Sequence, residues 1–131
     1  MPTYSGQGTA LTKSSGAAYN FTPMTDWLST DEITEIRAAL ETRGMPTECM
    51  SVRPAFLKAN DKEAPAATVD TIANTTARGS DGISYGSDWD DVTGDLDGYR
   101  WVRFGVESSR TKSDGTLGCF ATIRIDVLES R

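Results

Sequence analysis

Apolar and polar residues alternate with period two over the last third of the chain. Arg100, Val102, Phe104 and Val106 fall on one side, and Tyr99, Trp101, Arg103 and Glu107 on the other. Leu117, Cys119, Ala121, Ile123, Ile125 and Val127 then occupy every second position, opposite Phe120, Thr122, Arg124 and Asp126. This period predicts antiparallel strands near 99–108 and 116–128, each with one buried face. The linker Ser109–Gly115 ends in Asp114-Gly115, so a hairpin is expected between them. Met50, Val52 and Phe56 continue the period upstream, while Pro54 cannot donate to a ladder and predicts an edge or bulged strand. A weak strand at 67–73 and a short one at 83–85 complete the β pattern. No βαβ rhythm accompanies it, so a parallel sheet is not expected.

Residues 29–43 carry a different spacing. Ser29 and Glu32 form a capping box, with Leu28 and Ile33 as its hydrophobic staple. Ile33, Ile36 and Leu40 recur at i, i+3 and i+7, and Gly44 and Pro46 supply a stop. A helix over 29–43 is predicted, with an apolar stripe wide enough only to cover an edge.

Residues 1–28 are rich in Gly, Ser, Thr and Ala, with isolated large residues at Tyr4, Leu11, Tyr19, Phe21, Met24 and Trp27. Their only charges are Lys13 and Asp26. The segment reads as an extended N-terminal arm that lies on a surface, before a single β-rich domain over 29–131. The fold expected is thus a small antiparallel β-sandwich or open barrel of about 5–7 strands.

Composition narrows the chemistry. The 131 residues fit one domain. Thirteen Lys and Arg against nineteen Asp and Glu leave a net charge of −6, which disfavours nucleic acid and anionic membrane as partners. The absence of histidine removes Ser-His-Asp and Cys-His catalysis and His-bearing zinc sites. No Lys or Arg precedes Lys13 and no apolar run follows, so no secretory signal is read, and no run approaches a membrane span. Synthesis in a cytoplasm is expected. Cys49 and Cys119 match no metal-binding spacing; two buried thiols are the expectation there, and a disulfide is the alternative in an oxidising location.

Two stretches invite chemistry. The segment 81–97 holds Asp81, Asp88, Asp90, Asp91, Asp95 and Asp97. Asp95-Leu96-Asp97-Gly98 resembles part of a calcium loop, but the frame puts Phe104 where a bidentate Glu belongs. A solvated acidic loop is the reading, with no metal and no cofactor. Tyr85, Trp89 and Trp101, with Tyr99, flank it and form the platform of an alternative, carbohydrate-binding function. Paired carboxylates are too numerous for any one pair to mark an enzyme.

The leading expectation is a non-enzymatic structural subunit. It would self-assemble or decorate a virus particle or similar shell or filament, and so end in a virion or extracellular assembly. Tyr4, Leu11, Tyr19 and Phe21 of the arm are the expected contacts with neighbouring subunits. Partners are other copies of itself and, as a further candidate, a second shell protein.

Overall fold

The computed structural model describes residues 2–11, 20–31, 33–44, 50–63, 68–72, 77–78, 82–85, 89–110 and 118–129. In chain order these form β1 (Thr3–Leu11), β2 (Asn20–Pro23), β3 (Leu28–Ser29), β4 (Ile33–Arg43), β5 (Met50–Ala59) and β6 (Thr68–Thr71). There follow β7 (Ala77–Arg78), β8 (Gly82–Tyr85), β9 (Asp90–Asp91), the single-turn helix α1 (Thr93–Leu96), β10 (Trp101–Arg110) and β11 (Gly118–Glu129).

The strands build two sheets, ordered β1-β11-β4-β8 and β2-β10-β5-β6. The short strands β9, β3 and β7 add to β4, β10 and β5 in turn. All the pairings are antiparallel. With β2 and β3, β6 and β7, and β8 and β9 each counted as one interrupted strand, the chain winds eight strands between two four-stranded layers. This is the arrangement of a jelly roll.

The core lies between the layers. Ile36, Ala38 and Leu40 of β4 and Ala121, Ile123, Ile125 and Val127 of β11 face Val52 and Phe56 of β5 and Val102, Phe104 and Val106 of β10. Phe56 and Phe104 meet edge to face, with ring centroids 6.2 Å apart. Val92, just before α1, and Leu96, its last residue, close one end of the sandwich.

Several expectations hold. The fold is a mainly β antiparallel sandwich. Phe104, Val106, Ile123 and Ile125 are buried, and Arg124 is exposed on the opposite face of β11. The period-two pattern therefore set which face of each strand is buried.

The hairpin expectation is corrected. β10 and β11 lie in different sheets, β10 between β2 and β5 and β11 between β1 and β4. A buried face needs a partner layer, and alternation alone does not say whether the next strand is a neighbour or the opposing wall. Pro54 is likewise not on an edge strand, since β5 lies between β10 and β6. Its carbonyl accepts a bond from Ile72 N–H at 2.9 Å. In an antiparallel strand one residue's N and O point to the same side. The missing donor thus faces Ile72, just past the end of β6 at Thr71, so the one bond forgone lies at the end of that ladder and not in the pairing with β10.

The helix predicted at 29–43 is the strand β4. The pairing with β11 shifts between Leu128 and Glu129, opposite Glu35 and Ile33. Thr34 is the extra residue of this bulge. The bulge brings Ile33 to the buried face that Ile36, Ala38 and Leu40 occupy, so a strand acquires a helical i, i+3 spacing. The Ser29 signal is local but real: its Oγ accepts Asp31 N–H at 3.2 Å in the turn that leads into β4. Gly44 adopts φ +69° beyond a strand end rather than a helix end. Ala, Leu, Glu and Arg favour helix intrinsically, and burial between two partner strands overrides that preference.

The N-terminal segment is not an arm apart from the domain. β1 pairs with β11 along its whole length, from Thr3 opposite Asp126 to Leu11 opposite Gly118. β2 and β3 pair with β10. The spaced aromatics and glycines mark a strand whose small residues face a close neighbour.

Candidate assembly surface

The outer faces and edges of the two sheets are the surfaces on which a domain of this fold meets its surroundings. On the β1-β11-β4 face, cross-strand pairing sets Thr3, Asp126 and Arg37 in one row. Thr3 Oγ1 donates to Asp126 Oδ1 at 3.0 Å, and Arg37 Nη2 donates to Asp126 Oδ2 at 3.1 Å. Arg124 Nε stands 3.6 Å from Asp126 Oδ1. The Arg37 guanidinium also stacks on Trp89, 4.4 Å from the ring centroid. Asp126, which the alternation places on a solvated face, is thereby buried while remaining paired and hydrogen-bonded.

At the far end of this face lie the two large apolar side chains exposed among the described residues, Leu11 at 48% and Phe120 at 40%. Phe120 is opposite Thr9 and Leu11 is opposite Gly118, which makes them diagonal neighbours. Leu11 lies over Gly118, where a side chain would collide with it.

The outer face of the other sheet is engaged with itself. The Phe21 ring lies over Gly105, Arg53 pairs with Glu107 at 3.4 Å, and Lys62 stands 3.9 Å from the centroid of Trp101. Between β2 and β3 the chain leaves the ladder. Met24 and Thr25 N–H both bond Phe104 O, and Arg103 Nε donates to Thr25 O at 2.7 Å. This detour passes directly beneath Gly6 of β1 and bounds an open groove of about 530 Å³ against Thr3, Tyr4, Ser5 and Gln7.

At the sandwich end Lys58 is buried. Its Nζ donates to Asp95 O at 2.7 Å and lies 4.8 Å from the Tyr99 centroid. In the acidic segment, Asp91 Oδ1 accepts Thr93 N–H at 3.0 Å. That bond, and then the Thr93 hydroxyl, hold the Asp91 carboxyl below its usual 3.8. Among the described residues no three carboxylates or cysteines converge as a metal site, and no helix is long and apolar enough to cross a membrane. Asp81 and Asp88 lie outside the described residues, as does Cys49; Cys119 is buried.

The expected contact residues separate. Tyr4 packs partly buried against its own core, Leu11 is exposed, Phe21 is half-buried over Gly105, and Tyr19 lies outside the described residues. The expected aromatic platform separates too. Trp89 lies on the outer face of the first sheet and Trp101 on that of the second, while Tyr85 contributes its backbone to β8. Sequence reasoning missed the Asp126 row and the Gly6 contact. The alternate glycines Gly6 and Gly8 were the available signal for the second, since glycine inside a strand marks a close approach.

No family model and no curated protein matches the sequence. Solved structures do match the fold. The VP2 subviral particle of infectious bursal disease virus superposes with a TM-score of 0.55 at 10% identity, over 98% of this chain and 33% of that one. T=1 particles derived from the same virus give 0.54 at 10% identity, over 98% and 32%. The Gx strain gives 0.54 at 10%, again over 98% and 32%. This chain thus spans about a third of the length of the structures it matches. What is shared at this identity is the fold, a jelly roll of the kind found in particle-forming viral protein.

Proposed function

We propose that the chain is a non-enzymatic structural subunit that assembles with copies of itself into a virus particle or similar protein shell. The observation that carries this reading is the jelly roll itself, matched over 98% of the chain by a protein solved as a subviral particle. Capsid domains are a recurrent use of this double-sheet architecture. The surface chemistry supports the same reading. Among the described residues, aromatic and charged side chains on the outer faces are engaged with each other rather than gathered around one cleft. Leu11 with Phe120, and Phe21, are the contact residues this reading retains, and Tyr4 is assigned to the subunit's own core. The location that follows is the virion, with a second shell protein as a further partner.

Light scattering coupled to size exclusion, followed by negative-stain microscopy over a range of concentration and salt, tests the proposal. Discrete closed particles or oligomers are expected. A monomer under every condition refutes it.

A further inference from the structure

Among the described residues four strands terminate the two sheets, and one of them differs from the rest. β2 has four residues and ends in Pro23, β6 has four, and β8 has four. β1 has nine, Thr-Tyr-Ser-Gly-Gln-Gly-Thr-Ala-Leu, with no charge, no proline and no break in register against β11. Soluble proteins protect a sheet edge by shortening it, charging it, bulging it or placing proline in it. β1 carries none of these devices.

The phase of its free groups follows from one bond. Val127 N–H donates to Pro2 O at 3.0 Å, so even-numbered residues of this strand turn their backbone groups toward β11. The N–H and C=O of Thr3, Ser5, Gln7 and Thr9 therefore point away from the sheet. Leu11 ends the series, because its carbonyl accepts Asn20 Nδ2 at 2.9 Å and Ser108 Oγ at 3.1 Å. The side chains of Thr3, Ser5, Gln7 and Thr9 are exposed, and the groove beside Thr3–Gln7 leaves the flank open.

We infer that the free edge of β1 is a strand-addition site whose occupant is β1 of a second copy, joined antiparallel into one continuous sheet across a twofold axis. The inference rests on the self-assembly reading and names its first contact. An isologous pair requires a self-complementary strip. The chain carries a net charge of −6, and a nine-residue strip without charge is where two copies meet with least repulsion. The register follows from the groups that are free. Thr3 opposite Thr9 of the second copy, and Ser5 opposite Gln7, pairs all four residues. A shift of two residues in one direction leaves Thr3, Ser5 and Gln7 paired among themselves and takes Thr9 past the described strand. A shift in the other direction requires the occupied carbonyl of Leu11.

Cysteine pairing and amide exchange test this in the full chain. Cα atoms of a hydrogen-bonded antiparallel pair lie about 5.5 Å apart, within the roughly 4.4–6.8 Å a disulfide spans. A mixture of Ser5→Cys and Gln7→Cys chains should give a disulfide-linked dimer under mild oxidation, and neither chain alone should do so beyond the wild-type background. The amides of Ser5, Gln7 and Thr9 should become protected as wild-type concentration rises, while those of Tyr4, Gly6 and Gly8 are protected throughout. The double variant Ser5→Lys, Gln7→Lys should keep the wild-type circular dichroism and lose the concentration-dependent protection. If the wild type assembles with these amides still exchanging and no mixed cross-link, assembly uses another surface: this inference falls and the shell reading stands. A wild type that never assembles overturns both.

Discussion

The contact between Gly6 and the detour of the chain at Met24 makes opposite predictions for two glycines on one strand. Gly6 and Gly8 both face inward from β1, two residues apart. A Cβ built on Gly6 lies 1.9 Å from Met24 O and 2.6 Å from Met24 C, distances that no side-chain rotation relieves because both atoms are backbone. A Cβ on Gly8 meets only the flexible tip of Met24, at 3.9 Å. Gly6→Ala must therefore push β1 off the sandwich or displace the 24–25 turn from its two bonds to Phe104 O. Overpacking of this kind costs about 1–3 kcal/mol. Gly8→Ala meets no obstacle and removes freedom from the unfolded chain, which stabilises by about 0.4–1 kcal/mol. The two variants should differ by about 1.5–4 kcal/mol from these combined ranges. For a domain of this size each kcal/mol moves the melting temperature by about 3–5 °C. Thermal unfolding followed by circular dichroism, at one concentration for wild type and both variants, reads the difference directly. Equal melting temperatures for the two variants, or a Gly6→Ala chain as stable as wild type, would refute the packing of the 24–25 turn beneath β1.

Deletion of residues 2–11 should unfold the chain or broaden its melting transition. β1 pairs with β11 along its full length, and its removal unpairs that edge of β11 and takes Ala10 and Tyr4 from the core; a truncated chain with wild-type stability would show that β1 is dispensable to its own domain. Asp126→Ala should destabilise by about 1–3 kcal/mol, since it removes hydrogen bonds to charged partners and leaves Arg37 without its carboxylate. Urea unfolding measures this, and an unchanged midpoint would mean the Thr3–Asp126–Arg37 row contributes nothing. Asp91 should titrate below 3.8 in a carboxyl-resolved NMR titration. Its folded pKa is depressed, so its stabilising contribution is present above the unfolded pKa and is lost as pH falls through the folded one. Thr93→Val should raise the midpoint only partway, because the backbone N–H remains; a midpoint at or above 3.8 in the wild type would contradict the bond.

Alternation in the sequence determined the β class and the inward faces of β10 and β11, because a strand half-buried on one side must place apolar residues at every second position. It determined equally that no histidine chemistry exists and that the chain is acidic. Partner choice was beyond its reach. The same inward set on β10 and β11 suits a hairpin or two opposing walls, and only the assembled sandwich decides between them, since both arrangements bury the same side chains. The bulge at Thr34 was beyond reach for a related reason. One extra residue reverses the parity of a strand, and Ile33, Ile36 and Leu40 then fall at helical spacing although β11 and β8 hold the segment extended. The N-terminal segment shows the same limit. Its neutral, glycine-bearing pattern records that something packs closely on it, but that the neighbour is the chain's own Met24 and β11 is a long-range fact. Gly6 and Met24 are 18 positions apart and the strand pairing joins residues more than a hundred apart, as Thr3 is joined to Asp126, so no local pattern encodes either.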